Sequence, residues 1–547
     1  MIMKKTAILF VVAALCIIGC DCPDCGPSIF SVNATQFLVD GDSEATQSST
    51  PGQIVLTSSY AWTATNLSSE YVDFSVTEGE GGVFHFPVRL RQAFFDAFHS
   101  DPFQFVIDGI GCQAGQLRFT SSQGDIIDIT IYLADVAILV FDANGSTDAP
   151  PAPMIIFKGV EVVIPYNTTG MARSAKTFVG WGTKADGSGD FYNTTNNKGT
   201  FYETTNTLYA LWSGDGSAAD SPIHIYNHMT LNNVRTTLSD GLYYLVVADF
   251  DANYDEENGI LYPSWEPLGD EYASGKVFRG FFEGQGHTIN YSITAPPSQP
   301  AAKFCGLFGL VYDASIQNLK VVGEIDVAVT DNNAVWAGGL VGYSEGSTLS
   351  QIATEVNINV VVTGAGTGSI SVGGLVAAGT GGSVSNVYTT GDITVVGNSQ
   401  VNVGGVLGMN TTALSYAYAT GAIDATGTSP LSGVGGLVGF CNPVPQSIIN
   451  SVALNKELST SVGYLGRIHG STNLVSADNY ANSGMQLLPA PFDYTDVDKH
   501  GYGITGTNWS SSAWWQNTTS GSGPGWDPNI WNFDNISATS YPRLRWE

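Results

Sequence analysis

The 547-residue sequence is short of charge, and of bases above all. Charged residues make up 13% of it, about half of the ~25% usual in soluble domains. Only 20 Lys and Arg stand against 49 Asp and Glu, for a net charge of −29. Nucleic-acid binders need basic stripes that displace counterions, so that class of partner is excluded. Adsorption to an anionic membrane surface is disfavoured on the same ground. Long apolar runs are also missing. The longest, residues 7–18, follows Lys4 and Lys5; it is too short to cross a bilayer and has the form of a secretory signal. Cysteine is scarce, with seven in all: Cys16, Cys20, Cys22, Cys25, Cys112, Cys305 and Cys441. Three of them crowd the stretch IIGCDCPDCG, yet tetrahedral zinc needs four spaced Cys or His ligands. No second pair and no His lies nearby, so a zinc clip is unsupported.

What is abundant is glycine, at 64 residues, together with Thr, Ser, Val, Tyr and Asn. Such a composition favours strands and turns over helices, and 43% apolar residues are enough to fill sizeable cores. The expected class is all-β. Directly after the signal run, Ile17-Ile18-Gly19-Cys20 resembles a bacterial lipobox. The resemblance implies a signal peptide over 1–19, cleavage before Cys20, and lipid on its thiol and new amino group. Residues 20–27 then form the anchor and tether, with no role assigned to Cys22 and Cys25. Export, lipid anchoring and a cell-surface, outer-membrane location follow as expectations. Asp21 beside the lipid Cys is an inner-membrane retention signal in some bacteria.

Along residues 28–141, short alternating strands such as QIVLTSSYAWTAT and DIIDITIYLADVAI predict an antiparallel sandwich. The stretch AWTATNLSSEYVDFSVTEGEGG resembles the Ig-like modules of surface lipoproteins. DANGSTDAPPAP marks a linker at 142–153 by its turn-forming composition. Residues 154–213 contain Phe178, Gly180-Trp181, a DGSG run at 186–189 and LYALW at 208–212. The aromatics supply a small core and the DGSG run a tight turn. This segment resembles the Listeria–Bacteroides repeat, a β-grasp unit, which implies a spacer or protein-contact module.

An internal repeat follows. CGLFG at 305–309 returns as GGLVG at 338, GGLVA at 373, GGVLG at 404 and GGLVG at 435, at spacings of 31 to 35 residues. A second cassette trails each one, as in IQNLKVVGEIDV and VSNVYTTGDITV. Periods of this size mean stacked supersecondary units. The cassettes over 305–458 resemble the GLUG-type repeats of bacterial surface proteins. Glycine pairs suit corners where neighbouring backbones meet closely or φ turns positive. A parallel β-solenoid is expected, with Leu340, Leu375, Val406 and Leu437 stacked in one inner ladder. Ile316, Leu349, Val384, Leu414 and Ile448 would form a second. Such arrays need capped ends, assigned to a lead-in at 214–304 and a Trp-rich segment at 459–547.

The chemical motifs are sparse. Gly342-Tyr343-Ser344-Glu345-Gly346 matches a nucleophile-elbow pattern, but it sits on a repeat corner where no helix follows. His224 and His228 lie four apart without the Glu of a zinc protease. Asp249, Asp251, Asn253 and Asp255 alternate like a calcium loop, although Tyr254 and Ile260 replace its Gly and closing acid. A structural calcium is one reading of them and a solvated turn the other. Aligned repeats put Glu324, Asn357, Asp392 and Ala422 in one outward column, and Asp326, Asn359, Thr394 and Asp424 in the next. Two carboxylates two coils apart are a conceivable glycosidase pair, but solvated strand faces explain the mixture better. Trp509, Trp514, Trp515, Trp526 and Trp531 cluster near the end, as a ligand platform or as the end cap's core. No cofactor is implied, and no catalytic constellation stands out. The reading is a non-enzymatic surface lipoprotein that binds a glycan or a host or bacterial protein. The alternatives are a β-helix polysaccharide-processing enzyme or accessory protein, and a structural stalk.

Overall fold

The computed structural model describes residues 30–32, 36–39, 52–58, 61–90, 93 and 112–547. Within these spans it omits 71, 75, 77, 81, 134–135, 167–169, 188, 256–257, 270–274, 298–301, 331–332, 365–367, 442–446, 462, 472–474 and 490–494. Cys20, expected to carry the lipid, lies with Cys22 and Cys25 outside the described residues. Strands dominate, as the composition requires, and the all-β expectation is borne out. By internal contacts the chain divides into two units: residues 1–143 with 148–171 and 196–209, and residues 144–147 with 172–195 and 210–547.

The first unit holds the expected Ig-like sandwich. One sheet runs Phe30–Val32, Gly52–Ser58, Gly82–Leu90, Val72–Asp73, and the other Gln36–Val39, Ile126–Leu133, Cys112–Ser121, Trp62–Asn66, Glu78–Gly79. Buried Trp62, Leu117, Phe119 and Ile129 supply its core. The strand Val136–Asp142 departs from the expected boundary. It pairs antiparallel with Met154–Phe157 and parallel with 205–209, so it belongs with the β-grasp segment. Residues 142–153 accordingly connect two strands of one sheet and do not link two domains.

The second unit is a parallel β-solenoid. Six strands stack in register along one face: Ala302–Cys305, Ala334–Gly338, Ile370–Gly373, Val401–Gly404, Gly433–Gly435 and Tyr464–Gly466. The sixth, with Gln486–Leu488 and Tyr502–Ile504 beyond it, extends the coils into the segment expected to be cap. The ladders form as expected. Leu340, Leu375, Val406 and Leu437 are buried, and Ile316, Leu349, Val384, Leu414 and Ile448 pair in sequence along adjacent coils. Buried Cys305 and Cys441 join the core, and burial pushes each thiol up to about 12. At the lead-in, Asn227 caps the helix His228–Asn233 in a capping box, and Leu231 seals the first coils.

The corner glycines serve close approach. A side chain at Gly374 would begin 2.0 Å from the Gly405 carbonyl oxygen, and one at Gly405 2.1 Å from that of Gly436. Positive φ falls elsewhere, in a column of non-glycine residues at one bend of each coil: Asn318, Gln351, Asn386, Tyr416, Asn450 and Asp478, with φ between 52° and 55°. Asn and Asp tolerate this region best, and they fill four of the six places.

The hairpin of Thr177–Gly182 and Phe191–Tyr192 packs on the solenoid's first coils through Val179, Phe191, Leu211 and Val247. Gln285 Nε2 donates to the Asp186 carbonyl at 2.8 Å, and His287 Nε2 lies 3.2 Å from the Gly187 carbonyl. The Asp186 and Gly187 carbonyls are therefore tied to the solenoid's first coils.

The largest departure concerns the C-terminus. Residues 505–547 run along the solenoid's flank, back toward its beginning. Tyr480 donates to the Gly523 carbonyl, Trp526 Nε1 to the Asn450 carbonyl, and Trp531 Nε1 to Asn386 Oδ1. Tyr418 donates to the Pro542 carbonyl, and farther back Arg543 meets Glu355 at 2.7 Å. Trp546 reaches Gly286, where a side chain would begin 3.1 Å from its ring. The segment is a lateral strap, laid over the column of left-handed bends.

Candidate functional site

The five tryptophans offered as a ligand platform are all buried. Trp515, Trp526 and Trp531 pack in tilted contact at ring-centroid distances of 4.5 and 4.2 Å. Tyr388 and Tyr418, parallel at 5.0 Å on adjacent coils, receive them. Their faces are engaged in attaching the strap, so they present no surface to a ligand. Beside them, burial opposes ionisation of Glu355, but hydrogen bonds from Arg543 and Lys320 outweigh it and hold its carboxyl below the usual range.

The residues of the calcium reading bond to separate partners. Asp249 Oδ1 accepts from the Thr288 amide at 2.8 Å and pairs with His287 Nδ1 at 3.0 Å. Asp251 accepts from the Asn253 amide, and Asn253 bridges to Tyr262 and Ser292. Asp255 accepts from Asn258. Each side chain ties down a different piece of backbone or loop, and among the described residues no cluster of three His, Cys, Asp or Glu could hold a metal. His224 and His228 also go separate ways. Burial lowers His224 to about 4, while His228 bonds the Ala252 carbonyl and stacks on Tyr262.

The Asp249–His287 pair has a consequence for the anchored turn. The His287 hydrogen bond, against the opposing effect of burial, holds the Asp249 carboxyl below its ordinary value. A depressed carboxylate contributes stability that is complete above its unfolded value near 3.9 and lost as pH falls through the folded one. Residues 184–190 should therefore loosen only below about pH 4. Hydrogen exchange of that turn across an acid titration checks this, and Asp249→Asn should flatten the dependence.

The catalytic motifs do not assemble. Ser344 is buried on the strand Val341–Glu345, in register with Val311 and Gly379. The carboxylate columns align as the spacing predicts, Glu324 opposite Asn357 and Thr394 opposite Asp424. Their polar ends brace neighbouring coils: Asn357 Oδ1 accepts from the Asp392 amide, Asp392 from Ala422, and Asp326 from Asn359. Bridged in this way, Asp392 is poorly disposed to act as an acid or base.

A different site lies on the outer face of the first coils. Tyr243, Phe281 and Ser315 occupy one column in register, and Leu245, Glu283 and Gln317 the column two residues on. Between them runs a cleft of about 330 Å³, also bordered by Pro222 and Gln285. The Tyr243 and Phe281 rings are parallel, 4.3 Å between centroids and 7° between planes. Phe281 is 43% exposed. Glu283 is fixed by the Gln285 amide at 2.8 Å, Gln317 Nε2 at 2.8 Å and Asn318 Nδ2 at 3.0 Å. Sequence reasoning missed the site because Tyr243 and Phe281 sit 38 residues apart in the lead-in, where no cassette marks the register.

No family model matches the chain. A protein of Evansella cellulosilytica named provisionally as a Gly-rich membrane protein is 26% identical over 149 residues, covering 27% of this chain and 16% of that one. Halomucin of Haloquadratum walsbyi is 32% identical over 178 residues, 31% of this chain and 2% of its own length. The chain thus spans less than a fifth of either relative. Among solved structures, one titled as a provisional immunoglobulin A1 protease from Bacteroides ovatus overlaps 60% of this chain and 94% of its own, at 18% identity and a TM-score of 0.39. A second, titled IgA1 Protease, overlaps 81% of this chain and 28% of its own at 16% identity and a TM-score of 0.30. Likeness at that level does not carry the neighbours' activity to this chain.

Proposed function

We propose that the chain is an exported, lipid-anchored cell-surface protein, of the outer membrane, that binds a glycan or a protein through its solenoid. The observation that carries this reading is the open aromatic cleft at Tyr243 and Phe281, set on a rigid sheet. Exposed aromatics beside fixed polar groups suit recognition. The lipobox-like Cys20 and the membrane-protein name of the Evansella relative support the location. No helix of the described residues is long and apolar enough to cross a membrane; the proposed attachment, a lipid at Cys20, rests on the lipobox-like Ile17-Ile18-Gly19-Cys20.

A glycan array and a pulldown against host and bacterial surface proteins, both with the full chain, test the binding. Silence across both panels would leave the stalk reading in its place. Release of reducing sugar from mixed polysaccharides would instead favour an enzyme. Incorporation of labelled palmitate that disappears in Cys20→Ala tests the anchor.

A further inference from the structure

Surface binding through the aromatic cleft leaves the ligand open, and the first coils narrow it; the ligand class they select rests on that binding role. Parallel strands place rungs about 4.8 Å apart along a solenoid. The Tyr243 and Phe281 rings, on consecutive rungs and 4.3 Å apart, are therefore stacked along its axis. The next rung carries Ser315, followed by Thr348 and Ser383. The aromatic ladder stops after two rings. Among the described residues no third ring lies on the face of Phe281 away from Tyr243, in keeping with that side chain's exposure.

We propose that this vacant rung takes one ring of a neutral saccharide. The C–H face of a pyranose presents positive edges to the negative face of an aromatic ring, so a sugar laid over Ser315 continues the stack. Its hydroxyls then face the neighbouring column, where the Gln317 amide and the Glu283 carboxylate are held in place. At about 330 Å³ the cleft lies at the small end of ligand sites, suited to a ring or two and too small for a helix. Charge selects further. The lining includes no Lys or Arg, Glu283 is its one ionic group, and the chain carries −29 overall. Acidic sugars and phosphates would meet repulsion without a counter-charge. A peptide added as an extra strand finds no edge here, because Tyr243–Val246, Phe281–Glu283 and Ser315–Val329 each pair on both sides.

Titration calorimetry of the full chain against neutral pyranosides and their oligomers, with uronic and sialic acid glycans alongside, tests the proposal. Binding confined to neutral members is expected. Phe281→Ala should weaken it at least tenfold, and Ser315→Phe, which supplies the third ring from the protein itself, should abolish it. Melting temperatures near that of the parent would show that both variants fold. Saccharide binding untouched by either variant would overturn the site while leaving surface binding intact. No binding to any neutral sugar would overturn the ligand class. A protein captured by the parent and lost in Phe281→Ala would make the occupant a peptide and equally sink the saccharide. Silence toward sugars and proteins alike would remove the surface-binding reading itself.

Discussion

Gly405→Ala should destabilise the solenoid by about 3 kcal/mol or more, beyond the usual 1–3 kcal/mol of an overpacked core. The new methyl would begin 2.1 Å from the Gly436 carbonyl oxygen and 2.7 Å from the Ala419 side chain. No rotamer relieves the clash, because an alanine has none and the obstacle is backbone. That backbone belongs to the next coil, to which the Gly405 amide donates at 3.3 Å through the Gly435 carbonyl. Opening the gap would separate two rungs and weaken the ladder bonds on both sides. A urea titration followed by circular dichroism measures the loss. Gly381→Ala is the control: its φ of +65° is costly for alanine, but the nearest atom stands 3.9 Å away. That change should cost only about 1–2 kcal/mol, the ordinary penalty of a left-handed residue. Equal effects at the two glycines would mean that crowding between coils is not what the glycine pairs serve.

Trp526→Ala should release the strap. Trp526 is buried between Trp515 and Trp531, rests against Tyr418 at 6.1 Å, and donates Nε1 to the Asn450 carbonyl at 2.8 Å. Truncating a buried Trp costs about 3–5 kcal/mol. Here the loss falls on the attachment of residues 505–547, since Trp526 belongs to no ladder of the solenoid. Limited proteolysis should then cut within 505–547 while the coils stay resistant. A parent-like digestion pattern would show that the strap is attached by its other contacts alone.

These two predictions draw on features of unequal legibility. The ladders at Leu340 and Ile316 were readable because the repeat fixes which residues meet, whatever the cross-section. The glycine pairs were readable as corners, but their cause was only half visible: neighbouring carbonyls, not positive φ, exclude a side chain. The left-handed column escaped notice because Asn, Gln, Tyr and Asp alternate there, and their shared backbone angle leaves no common letter. The C-terminal tryptophans announced a core without its direction. An end and a flank of a solenoid both demand buried aromatics, and only the stacked Tyr388 and Tyr418 select the flank. Asp249, Asp251, Asn253 and Asp255 misled for a related reason: oxygen-rich spacing is equally the pattern of side chains that bond nearby amides. The aromatic cleft needed a register across the lead-in that no repeat supplied.

The strap also alters how the molecule bears load. A bare stack of coils touches only its neighbours, so it frays from either end one unit at a time. Residues 505–547 bond to rungs as far apart as Tyr480 and Glu355, with Trp546 near Gly286. Tension that separates one coil from the next must also slide this segment along its seat, shearing several indole contacts together. Pulled from its two ends in a force spectrometer, the solenoid is expected to give a single high rupture in place of a staircase of small ones.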